Sequence, residues 1–68
     1  MAKLKYFPAA LREARIRHGW SVGELARRTG ISASTISRTE TGIGAPSLYV
    51  AMELCRVLGV SMKELTGL

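Results

Sequence analysis

At 68 residues, with 47% hydrophobic and 22% charged side chains, the chain has the composition of one soluble globular domain over residues 1–68. A chain this short buries only roughly 60% of the surface its unfolded form exposes, so neither a deep active-site cavity nor a small-molecule ligand domain is expected. No apolar run approaches the ~20 residues of a membrane span, the opening residues lack the apolar core of a leader, and the lone Cys55 has no intramolecular disulfide partner, which together point to a reducing cytoplasm. The net charge of +5 is lopsided: residues 1–28 carry seven bases against two acids, whereas residues 29–68 carry three of each. A positive half on so small a domain is the footprint of a polyanion partner, or else a basic face that serves solubility alone.

Residues 8–18 place Leu11, Ala14 and the edge of His18 at helical spacing among Arg12, Glu13, Arg15 and Arg17, and Gly19 stops the run. Ser21 and Glu24 then match a capping box, in which the serine hydroxyl accepts from the third helical amide and the glutamate reaches back to the cap. This second helix is predicted to last until about Arg28, where Thr29 and Gly30 break it. Ser32 caps a third helix to about Thr41 before Gly42, and residues 42–46 form a turn-rich loop. Ser47 opens a fourth helix with Leu48, Ala51, Leu54, Cys55 and Leu58 as one apolar stripe. Gly59 ends it, and a second capping box, Ser61 to Glu64, starts a short fifth piece carrying Leu65. The fold expected is all-α with five helices.

Helices two and three are separated only by Thr29, Gly30 and Ile31, a spacing suited to a crossing of roughly 90–120° with glycine in the turn. Ala26 is the small residue at the crossing, with Leu25, Ile31 and Ile36 as apolar anchors. Residues 11–15 (LREAR), 19–21 (GWS), 24–27 (ELAR), 30–32 (GIS), 35–37 (TIS), 40–42 (ETG), 46–48 (PSL) and 58–61 (LGVS) carry a resemblance over nearly the whole chain. In order and spacing they are similar to the lambda-like phage repressors and Cro proteins, the Xre-type helix-turn-helix family. The resemblance implies a five-helix, lambda-repressor-like domain with the helix-turn-helix at about 22–41, and a sequence-specific, DNA-binding regulator of transcription. Val22 stands where relatives often carry a glutamine directed at the DNA backbone, and residues 43–45 lack the bases common in that loop.

On a helical wheel, Ser32, Thr35, Ile36 and Thr39 share one side of helix three, while Ala33, Ser34, Ser37, Arg38 and Thr41 share the other. The second side is small and polar, which permits close approach to a major groove, and Arg38 can fork onto guanine. The resemblance assigns base contact to Ala33, Ser34, Ser37 and Arg38. Phosphate contacts are expected from Ser21 at the start of helix two, from Arg27 and Arg28 at its end, and from Thr41. The resemblance further implies a shielded ion pair between Arg15 and Glu40. Trp20 is expected to fill the gap between helices one and two, or to anchor a partner, and His18 to be a solvated residue near a helix end.

One short reading helix covers too few base pairs for specific control, so a homodimer on a two-fold symmetric operator is expected. Its surface is expected in the C-terminal helices, where Val57, Val60, Met62, Leu65 and Leu68 offer more apolar groups than one small core needs. The competing use of this fold is an antitoxin-like or accessory module that binds a partner protein, with DNA contact secondary. The chain has one histidine, one cysteine and no aspartate, so no catalytic site, metal or cofactor is expected.

Overall fold

The computed structural model describes residues 6–44 and 46–66, and among them it has five helices and no strand. These are α1 (Tyr6–Arg17), α2 (Val22–Thr29), α3 (Ala33–Thr41), α4 (Leu48–Leu58) and α5 (Met62–Thr66). Helix α1 starts before Pro8 rather than at it, because an imino acid in the first turn forfeits an amide that has no helical partner anyway. Ser21, Ser32 and Ser47 each cap a helix by accepting from the amides of Glu24, Thr35 and Val50. At α5 the capping box is reciprocal: Glu64 N–H donates to Ser61 Oγ at 3.0 Å and Ser61 N–H donates to Glu64 Oε1 at 2.8 Å.

Phe7 and Leu11 of α1, Leu25 of α2, Ile36 of α3, Leu54 of α4 and Leu65 of α5 are fully buried and meet in one core. Helix α1 lies against α3 and α5, α2 against α3 and α4, and α4 against α5. Cys55 belongs to this core, its sulfur 3.4 Å from Met62 Sδ, and burial pushes its thiol above the ordinary range. Among the described residues, no helix is long and apolar enough to cross a membrane and no cluster of His, Cys, Asp or Glu is placed to hold a metal ion.

Two expectations about the C-terminal half need correction. Leu48 is 68% exposed and is not part of the buried stripe of α4, which comprises Ala51, Leu54, Cys55 and Leu58. It lies about 70° from the centre of that stripe, in the first turn. The apolar side chains expected to be left over for a second copy are mostly consumed within the chain. Leu65 is 1% exposed, and Val57, Val60 and Met62 pack on the core; Leu68 lies outside the described residues. Among the described residues, the large apolar side chains left exposed are Leu48, Tyr49 and Met52 on the outward side of α4, Ile43 in the preceding loop and Ile16 on α1.

Candidate nucleic-acid interface

The turn between α2 and α3 is tied by one buried side chain. Thr29 Oγ1 donates to the Leu25 carbonyl at 2.8 Å and accepts from the Ile31 amide at 3.1 Å. Between them Gly30 adopts φ 77°, where a side chain would be strained, and its N–H closes α2 on the Ala26 carbonyl at 2.8 Å. Ile31 then drops into the core, and α3 leaves at the angle this tight turn dictates.

Ile36 and Thr39 of α3 are buried and Thr35 is half-buried, so Ala33, Ser34, Ser37, Arg38 and Thr41 are left exposed on the opposite side. Thr39 satisfies its hydroxyl internally, donating to the Thr35 carbonyl at 2.8 Å, which lets a polar residue occupy a core-facing position. Thr41 spends its hydroxyl proton on its own helix, toward the Ser37 and Arg38 carbonyls at 3.1 Å. The Arg38 guanidinium has no hydrogen-bond or ion-pair partner among the described residues. The outer face of α3 is therefore small and hydroxylic, with one uncommitted planar cation.

Behind this face, α3 is fastened to α1 by a bidentate pair. Arg15 Nε and Nη2 donate to Glu40 Oε2 and Oε1 at 2.6 and 2.9 Å, and the side chains are only 12% and 7% exposed. The third arm, Nη1, donates to the Trp20 carbonyl at 2.8 Å, so one guanidinium joins α1, α3 and the α1–α2 turn. The bonds to Glu40 raise the Arg15 pKa further above its ordinary value.

Trp20 is half-buried against the core and stacks on His18 with ring centroids 4.1 Å apart and an 18° angle between planes. His18 is therefore not merely solvated: its Nε2 lies 2.7 Å from the Leu58 carbonyl at the end of α4. The Arg28 guanidinium sits over the Trp20 ring, 4.3 Å from its centroid. No spacing rule in the sequence announces this stack, because the α1–α2 turn that aligns it is irregular.

Among the residues expected to face phosphate, the contacts differ from the sequence expectation through Glu24. Ser21 Oγ accepts from the Glu24 amide at 3.0 Å, so its own proton remains available to an anion. The Glu24 carboxylate, however, does not complete the capping box. It pairs with Arg27 Nη2 at 2.5 Å and Arg28 Nε at 2.7 Å, one turn further along α2. These contacts hold Glu24 below the usual carboxylate range, the hydrogen bond from Arg27 being the largest cause. The signal for them was in the sequence, since Glu24 lies three and four residues before the two arginines. Val22, in the position next to the cap, turns its side chain onto the core.

The model of the helix-turn-helix family matches residues 11–65, a span containing all of α2 to α4, the C-terminal part of α1 and nearly all of α5. The chain belongs to this lambda repressor-like, Xre-type family. Among solved structures it is similar to the restriction-modification controller protein C.AhdI from Aeromonas hydrophila, at 32% identity and a TM-score of 0.85. That match covers 96% of this chain and 98% of the other. Among curated proteins it is 30% identical over 54 residues to YgzD of Bacillus subtilis, an HTH-type transcriptional regulator, covering 79% of this chain and 82% of that one. It is also 41% identical over 54 residues to an HTH-type transcriptional regulatory protein of Thermococcus kodakarensis, of which it spans only 17%. Fold and family agree on a DNA-binding regulator of the helix-turn-helix type.

Proposed function

We propose that the chain controls transcription as a homodimer that places α3 in successive major grooves of a two-fold symmetric operator. The observation that carries this reading is the outer face of α3, with Ala33, Ser34, Ser37 and the unpaired Arg38 exposed on a helix held rigidly from behind by Arg15 and Glu40. Ala33, Ser34 and Ser37 are small enough to bring the helix to the base edges. Arg38 forks onto guanine O6 and N7, the one bidentate base contact that the outer face of α3 offers in a chain with no asparagine or glutamine. Ser21, Arg27 and Arg28 engage the phosphate backbone and set register. Thr41, its hydroxyl proton turned inward, contributes at most as part of the groove-facing surface.

The second copy is taken up by the outward side of α4. Leu48, Tyr49 and Met52 are 68%, 68% and 56% exposed, an apolar strip that an isologous two-fold contact would cover.

Operator selection from random duplexes, run with the parent chain and with Arg38→Ala, tests the proposal. The parent is expected to yield a two-fold symmetric consensus. The variant is expected to lose preference at one base pair per half-site, about 1–3 kcal/mol of discrimination, with non-specific binding much less affected. An unchanged consensus would assign Arg38 to the backbone. Affinity for random duplex that does not fall with salt would remove the DNA reading and favour a partner-protein module.

A further inference from the structure

The two serine boxes of this chain have the same sequence logic and different outcomes. At α5, Glu64 folds back onto the Ser61 amide; at α2, Glu24 in the equivalent position turns forward to Arg27 and Arg28. The difference lies in the sequence three and four residues on, where Glu24 is followed by two arginines and Glu64 by Gly67 and Leu68. Glu24 therefore has two local resting places, and the cations assigned above to the phosphate backbone occupy one of them.

Resting on that reading of Arg27 and Arg28, we propose that Glu24 is a built-in competitor of the DNA backbone. In the free chain its carboxylate neutralises one of the two positive charges that α2 presents. When a duplex phosphate takes the arginines, the carboxylate turns back to the Ser21 amide and completes the capping box. Nothing buried is stranded by the exchange, because the Glu24, Arg27 and Arg28 side chains are 30%, 69% and 43% exposed. Each released guanidinium gains a charge-assisted bond to phosphate in place of the one it gave up. Arg28 keeps its place over Trp20 when Glu24 leaves, whereas Arg27 is held by Glu24 alone. Arg27 is thus the residue whose availability Glu24 governs, and Glu24 sets how tightly the domain holds DNA without touching a base.

The test measures binding to a random-sequence duplex by fluorescence anisotropy across salt concentrations for the parent, Glu24→Gln, Arg27→Ala and the double variant, with thermal melts alongside. Glu24→Gln is expected to bind roughly 3- to 10-fold more tightly, with a log K against log salt slope steeper by up to about 0.9 per subunit. Its melting temperature should stay near that of the parent, since glutamine also completes a capping box. The gain should vanish in the Arg27→Ala background. Parent-like affinity and slope in Glu24→Gln would overturn the proposal, and so would a gain that survives without Arg27, which would reduce Glu24 to a distant negative charge. A parent chain that fails to bind duplex at all would instead bring down the reading of Arg27 and Arg28, and this proposal with it.

Discussion

Removing either member of the Arg15 and Glu40 pair should be among the most damaging single changes in the chain. The pair is bidentate at 2.6 and 2.9 Å and its side chains are 12% and 7% exposed, so each charge depends on the other for the solvation it has lost. Breaking a buried pair costs about 3–5 kcal/mol and an exposed one about 0–1 kcal/mol; the residual exposure here places each single variant at about 3 kcal/mol. Arg15→Ala should be the worse of the two, because it also frees the Trp20 carbonyl that accepts at 2.8 Å, whereas Glu40→Ala leaves that bond intact. A chain of 68 residues has a total stability of about 3–10 kcal/mol, so either change consumes a large share of it. Thermal melts followed by circular dichroism should show losses of roughly 10–20 °C. The Arg15→Ala/Glu40→Ala double variant should lose little more than the worse single one, with a coupling of about 2–3 kcal/mol. Single variants that melt within about 2 °C of the parent, or a strictly additive double variant, would refute the argument that desolvation makes these charges interdependent.

Two glycines, one inside α2 and one capping its C-terminus, should respond with opposite signs to the same substitution. Gly30→Ala places a side chain at φ 77° and should cost about 1–2 kcal/mol, whereas Gly23→Ala puts its methyl 3.8 Å from Ser21 Oγ, ordinary contact, and should gain about 0.5–1 kcal/mol; melting shifts of equal sign would contradict this. Met52→Glu should shift the proposed dimer toward monomer in sedimentation without lowering the melting temperature of the monomer, since Met52 is 56% exposed and outside the core. The Glu24 carboxyl should titrate below an ordinary glutamate by NMR, and Arg27→Ala should move it upward. A depressed carboxylate stabilises the fold above its unfolded pKa and loses that contribution only as pH falls through the depressed value, so the Glu24 pairs are intact at neutral pH.

Helix content was legible in the sequence because its causes are local. Serine caps, glycine stops and apolar spacing act within one or two turns, and they mark α2, α3 and α4 to within about a residue of where they lie. The outer face of α3 was legible for the same reason, since a wheel with Ile36 and Thr39 inward leaves Ala33, Ser34, Ser37 and Arg38 outward. What tertiary structure alone decided was the use made of groups that local rules leave with more than one partner. Leu65 and Met62 read as spare apolar surface until the packing of α5 on α1 and α4 consumed them. His18 read as a solvated end until the fold brought the Leu58 carbonyl, forty residues away, to its ring. Glu24 satisfied a capping pattern and a salt-bridge pattern equally well in the sequence. Only the three-dimensional arrangement, in which Trp20 holds Arg28 alongside, shows the carboxylate committed to the arginines. The physical reason differs by case: for Leu65, Met62 and His18 the partner lies on distant chain that only the folded core delivers, whereas for Glu24 two local partners compete and only the fold shows which one holds it.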